Sequence, residues 1–237
     1  MENGRGPAQR WLEISPERIE GWLDSFAELH GATATAVDNQ RAIATVRAAD
    51  GSIAECHAPF PPLAVSAVGS GADLAAHASA DRTVAVLLVR LGGYAAGVFA
   101  GAPPRLVASK VGSRLVHGRS AAGGTSQHRF ARRREKQARE ALAAAADNAV
   151  GVLAGFAGKL DAVVLGGDKR SMAVLRDDGR LRPYFDIAVE RFLAVPDPRL
   201  AVLQDTPRLF RAIRIRLTQS PAGQAAETGS PGGSALT

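Results

Sequence analysis

Apolar residues return at helical spacing through Ile19, Trp22, Leu23, Phe26 and Leu29, which sets one hydrophobic stripe along a helix. Ser15 followed by Pro16 is a good N-cap and first-turn pair for it, and Gly31 supplies the stop. Beyond Gly31 the pattern shortens to strands over residues 33–37, 42–46 and 53–57, joined by turn signals at Asp38-Asn39 and Asp50-Gly51. Together these predict a small α+β unit. Pro59, Pro61 and Pro62, then the Gly/Ala/Ser stretch around Ser70-Gly71, read as a boundary or linker, so residues 1–80 are expected to form an N-terminal unit with its linker.

A second region opens at residues 83–90, whose β-branched run TVAVLLVR suits a buried strand. Gly92-Gly93 turns it into a strand over 94–100, and 105–111 extends the series to an antiparallel meander. Phe130, Ala138, Leu142, Ala145, Ala149, Leu153 and Phe156 then trace one apolar stripe, which predicts a long helix over 128–157. Arg129, Arg132, Arg133 and Lys136 fall largely off that stripe. DAVVL at 161–165 is a further strand, a helix is expected after Gly167, and 198–204 reads as helical. Residues 211–217 alternate basic and apolar side chains, as an edge strand does. Residues 81–217 are thus expected to form one domain with a mixed sheet and flanking helices. The low-complexity tail over 218–237 is expected to be disordered. No internal repeat is evident.

Composition narrows the class. At 237 residues the chain can hold one large domain or two small ones. A single cysteine, Cys56, excludes an internal disulfide and a multi-cysteine zinc site, and points to a reducing cytoplasm. No basic start runs into an apolar stretch, and no run nears the roughly 18 apolar residues of a membrane helix, so neither a signal peptide nor a span is expected. The net charge is +6, and Arg outnumbers Lys 25 to 4, a bias that a GC-rich genome produces by itself. Position says more than count. From Arg105 to Arg139 there are ten basic residues against one acid, Glu135, a local +9, so the rest of the chain sums to −3. A single basic patch fits a phosphate-binding surface.

Inside that patch lies the candidate chemistry. Residues 117–127 carry Gly118, Gly123 and Gly124, end in Gln127, and are too long and soft for a tight turn. Glutamine is no strong base at neutral pH. It can orient a water, and its backbone N–H can steady a developing oxyanion. Read from residues alone, such a loop before a basic helix is also an ordinary RNA- or phosphate-contacting loop. Ser126 and His128 flank Gln127, but no acidic residue orients them as a nucleophile–base pair. Gly166-Gly167-Asp168-Lys169 lacks P-loop spacing and reads as a strand-to-helix turn. A two-metal nuclease needs clustered carboxylates at strand ends, and the first meander strand has none. Asp161, Asp168 and Asp186 read as caps and surface groups, and adjacent Cys56 and His57 cannot share a metal. No metal and no cofactor is expected.

The run GGTSQHRFARRREKQ resembles the catalytic loop and following helix in the central domain of archaeo-eukaryotic class I release factors. It is most similar to their Vms-like (VLRF) branch, whose bacterial members are mostly actinobacterial. Gly123-Gly124 and Arg129-Phe130-Ala131-Arg132 match in mutual spacing. Thr125 stands where release factors proper carry glutamine, and Gln127 follows two residues later, the Gly-x-x-Gln arrangement of the VLRF branch. The resemblance covers roughly residues 83–217. It implies a ribonuclease-H-like catalytic domain, here preceded by the small α+β unit, an α/β protein with a mixed sheet. It further implies peptidyl-tRNA hydrolysis, with Gln127, Gly123 and Gly124 catalytic and Arg119, Arg129, Arg132, Arg133, Arg134 and Lys136 on RNA. The implied partners are the large ribosomal subunit, through its rRNA, and peptidyl-tRNA, with no DNA and no membrane, for a protein monomeric when free. No stop-codon-reading module is recognisable, which favours codon-independent rescue or quality control. Two alternatives remain: a non-catalytic ribosome- or RNA-binding factor using the same helix, and a small-ester hydrolase, which the local +9 disfavours.

Overall fold

Alternation of apolar and polar residues builds the first of two compact units in a computed structural model of the chain. The structure describes residues 8–63, 70–90, 92–113 and 126–220, with the backbone alone at 8, 126–131 and 134. One unit holds the residues up to Ala80 together with those from Arg211 onward, and the other is Asp81–Phe210.

In the first unit β1 (Ala8–Ile14), a 3-10 turn at Pro16–Arg18 and α1 (Ile19–His30) precede β2 (Thr33–Asp38), β3 (Ile43–Ala48) and β4 (Ile53–His57). α2 (Gly71–Ser79) and a last strand, β10 (Ile213–Gln219), complete it. The sheet order is β1-β10-β4-β3-β2, antiparallel throughout. Ile213, Ile215 and Leu217 point to one face, where Trp22 and Phe26 of α1 and Leu74 of α2 close the core over Ala44, Val46, Ala54 and Cys56. His30 Nδ1 lies 2.8 Å from Asp50 Oδ2, and Asp50 accepts the Ser52 N–H at 2.8 Å, so the end of α1 is tied to the β3–β4 turn.

Two expectations change here. The stretch around Ser70-Gly71 is the start of α2, not a linker. Ser70 and Asp73 form a reciprocal capping box, which small flanking residues hid from the sequence pattern. Residues 211–217 were expected at a sheet edge of the second domain, yet β10 lies in the first unit, paired on both sides by β1 and β4. One-sided alternation marks any strand with one solvated face, interior or edge. The second unit therefore ends at Phe210. Of the expected tail, Thr218 and Gln219 belong to β10, and residues 221–237 lie outside the described residues.

The second unit runs β5 (Val84–Arg90), β6 (Gly93–Ala100), β7 (Arg105–Ser113), α3 (Ser126–Leu153), β8 (Ala162–Gly167), α4 (Lys169–Arg176), α5 (Arg182–Asp186), β9 (Ala188–Leu193) and α6 (Leu200–Arg211). A 3-10 turn, Ala154–Phe156, closes α3. The sheet order is β7-β6-β5-β8-β9: an antiparallel meander joined through β5 to two parallel strands. That is the mixed sheet the ribonuclease-H-like expectation calls for. Six of the seven residues of β5 are buried, because helices cover both faces. Ala145, Ala146, Ala149 and Leu153 of α3 pack on one side. On the other, Phe210 of α6 meets Phe99 edge-on at 5.8 Å. Gly167 ends β8 at φ +102°, where an added Cβ would meet the Val89 carbonyl at 2.2 Å, so only glycine makes this turn. Asp168 then caps α4 by accepting the Ser171 N–H at 2.9 Å.

Candidate functional site

The basic helix is built in two halves. From Ala141 onward α3 carries the alanine and leucine stripe that packs on the sheet. Before Ala141 the described side chains are exposed or half-buried, and Arg132, Arg133, Lys136 and Arg139 are all exposed. The helix from Ser126 to Glu140 therefore runs about 22 Å, at roughly 1.5 Å per residue, without a buried side chain among those described. Among the described residues Lys136 lies 3.9 Å from Glu140 one turn on, an exposed pair of little energetic weight. Positive charge close to a helix N-terminus opposes the macrodipole. An external polyanion would relieve that conflict. β7 adds exposed Arg105 and Lys110.

The packed half is anchored by polar contacts. Asn148 Nδ2 donates to the Tyr94 hydroxyl at 2.8 Å. Arg180 Nη2 donates to Asp147 Oδ1 at 2.8 Å and also pairs with Asp178. Sequence reasoning missed this anchoring, since Asn148 and Tyr94 stand 54 positions apart and neither belongs to a motif.

Of the expected site residues, Gly123, Gly124 and Arg119 lie outside the described residues, as does most of the glycine-rich loop. Gln127 was expected in that loop. The helix instead begins at Ser126, so Gln127 is the second residue of α3. The last helix-breaking residue is Gly124, and Thr125-Ser126 are capping types, so nothing in the sequence delays the helix to 128. First-turn backbone N–H groups lack intrahelical acceptors. Arg129 and Arg134 lie on the same helix, and Arg132, Arg133 and Lys136 are exposed along it. Ser126 and His128 are two positions apart on a helix, a spacing that puts them on different faces.

The discounted candidates have structural roles. Asp161 Oδ2 accepts the Thr83 N–H at 2.7 Å, Asp168 caps α4, and Asp186 is an exposed residue at the end of α5. Cys56 is fully buried, and burial pushes its thiol up to about 12. No group of three or more metal-ligating side chains occurs among the described residues. Among them also, no helix is long and apolar enough to cross a membrane.

Comparison with known proteins adds the family. No curated protein matches the chain. Among solved structures, the crystal structure of the archaeal translation termination factor aRF1 is similar at 11% identity and a TM-score of 0.41, covering 93% of this chain and 67% of that one. Residues 82–216, more than half of the chain, match the family described as Actinobacteria/Chloroflexi VLRF1 release factor. That segment spans the whole meander, α3 and the Gly-Gly/Gln signature, and it reaches into β10. The chain belongs to the actinobacterial and Chloroflexi VLRF1 release factor family.

Proposed function

We propose that this protein is a peptidyl-tRNA hydrolase that acts on the large ribosomal subunit without reading a codon and frees chains from stalled ribosomes. The observation that carries this reading is the arginine-rich first half of α3, which contains Gln127, follows Gly123-Gly124 in sequence, exposes Arg132, Arg133 and Lys136, and lies inside a release-factor family segment. Arg119, Arg129, Arg132, Arg133, Arg134 and Lys136 would hold rRNA and tRNA phosphates, and the protein would act in the cytoplasm with its ribosome. The substrate is the ester between the nascent peptide and the tRNA 3′ ribose. Water attacks the ester carbonyl carbon, the carbon–oxygen bond to ribose breaks, and the products are a free peptide carboxylic acid and a restored ribose hydroxyl. The Gln127 side chain orients the water. The backbone N–H groups of the first turn of α3 donate to the oxyanion. Orientation of this kind lowers a barrier by several kcal/mol when the partners are held fixed, and the ribosome would do the holding.

Single-turnover release of labelled peptide from large subunits, at saturating protein, tests this. Gln127→Ala is expected to lose much of the rate with little change in subunit affinity. Gln127→Pro is expected to lose more, because proline is tolerated in a first helical turn yet deletes the N–H as well. Gly124→Val should also exceed alanine in effect. Ser126→Ala and His128→Ala should matter little, and Thr125→Gln should not rescue Gln127→Ala. Full activity in both Gln127 variants would leave a non-catalytic ribosome-binding factor as the reading.

A further inference from the structure

The first sheet has one covered face and one open face, and the open face carries an aromatic platform. Trp11 on β1 is 49% exposed. The Arg214 guanidinium sits 4.5 Å from its ring centroid, and the His57 ring lies 5.2 Å away, tilted 57°. The register puts these residues on adjacent strands, with Trp11 opposite Arg216 on β10 and Arg214 opposite His57 on β4. His57 Nε2 is shielded from solvent and has no hydrogen-bond partner among the described residues. Such an orphan calls for an explanation.

Charge decides what fits. Arg41, Arg47, Arg214 and Arg216 meet Glu13, Glu55 and Asp38 on or beside this face. Glu13 lies 3.9 Å from Arg214, Glu55 pairs with Arg216, and Asp38 accepts the backbone N–H of Arg41 at 3.0 Å. Arginine exceeds acid by one. That is too little to hold a duplex through its phosphates, unlike the α3 patch. It suits a ligand recognised mainly by stacking, for which indole and guanidinium planes are the usual surfaces. Ile43 and Ile53, half-buried on the same face, give apolar floor beside the platform.

We propose that the open face of the first sheet, centred on Trp11, Arg214 and His57, binds unpaired nucleotides of RNA by stacking a base on the indole. The site belongs to the first unit, whereas Gln127 and the α3 arginines belong to the second.

The test uses the intrinsic fluorescence of the full-length protein carrying Arg132→Glu and Arg133→Glu, so that α3 no longer dominates RNA binding. The chain has two tryptophans, and Trp22 is buried at 6% exposure, so a surface quench reports Trp11. Titration with a short single-stranded oligoadenylate is expected to quench emission saturably, with a shallow salt dependence. Duplex RNA of equal length should leave emission unchanged. Binding followed by anisotropy of a labelled oligoadenylate should weaken at least tenfold in Trp11→Ala, several-fold in Arg214→Ala, and little in Trp11→Phe, which keeps a ring. Emission unmoved by RNA, or equal binding by Trp11→Ala, would overturn the proposal. A shift produced by rRNA-free ribosomal proteins but not by RNA would assign the face to a protein and overturn it too. Peptide release by the protein with native α3 is read separately, so this inference and the hydrolase reading fail independently.

Discussion

The Asn148 side chain donates to the Tyr94 hydroxyl at 2.8 Å, and this bond ties the packed half of α3 to the start of β6. Asn148 also donates to its own Ala144 carbonyl at 2.6 Å, which fixes the amide. The Tyr94 ring occupies space that a side chain at Gly112 would need, since a Cβ there would fall 2.3 Å from the Tyr94 hydroxyl. The first half of α3, an arm whose described side chains are exposed or half-buried, thus takes its direction from the packed half. Tyr94→Phe should cost about 1 kcal/mol and a few degrees of Tm in a thermal melt. It should also slow peptide release while leaving subunit affinity unchanged, since the arginines remain. An unaltered release rate would show that the arm is fixed by packing alone.

Affinity for large subunits should fall steeply with salt, because each phosphate contact releases counterions. Replacing Arg132, Arg133 and Arg134 together by glutamate should abolish co-sedimentation with the subunit and leave the fold intact. Circular dichroism and sedimentation measured on the same preparation check both halves of that statement.

Acid should loosen the first unit through Asp50. Burial would raise this carboxyl, but hydrogen bonds from the Ser52 N–H, His30 and the Ser52 hydroxyl outweigh it and hold Asp50 below the usual carboxylate value of 3.8. A lowered folded value means that its stabilisation is present above the ordinary value and is lost as pH falls through the lower one. Asp50→Asn is therefore expected to cost about 1–2 kcal/mol at pH 7. The gap to the native protein should shrink as urea titrations move below pH 4.

Cys56 should behave as a reporter of unfolding. It is fully buried on β4 with its thiol raised to about 12 by burial. At pH 8 almost no thiolate forms, so a disulfide reagent should react only through opening of the first unit. Reaction should be negligible in native protein and complete in denaturant. Rapid labelling of the native form would contradict the packing of Cys56 beneath α1.

Local pattern carried much of this protein. Helix α1 and strands β2 to β8 follow from runs whose own residues set their period, and the Gly-Gly/Gln signature and basic run mark the candidate site with no tertiary information. Where local and tertiary preferences agree, sequence suffices. β1, α5 and β9 went unread, because each is short or mixed in pattern and is held by its neighbours more than by its own propensity.

What the sequence by itself determined was therefore the kind of each strongly patterned element and the place along the chain of the Gly-Gly/Gln signature and the basic run. Only tertiary structure decided where β10 belongs, because alternation records that one face is solvated and not which strands lie alongside. It also decided that Ala141 is where α3 meets the sheet. An amphipathic stripe continues on both sides of that residue, and only the position of the sheet end separates the packed half from the exposed one. The open Trp11 face arose in the same way. Trp11, His57 and Arg214 are far apart along the chain, and strand register alone sets them side by side.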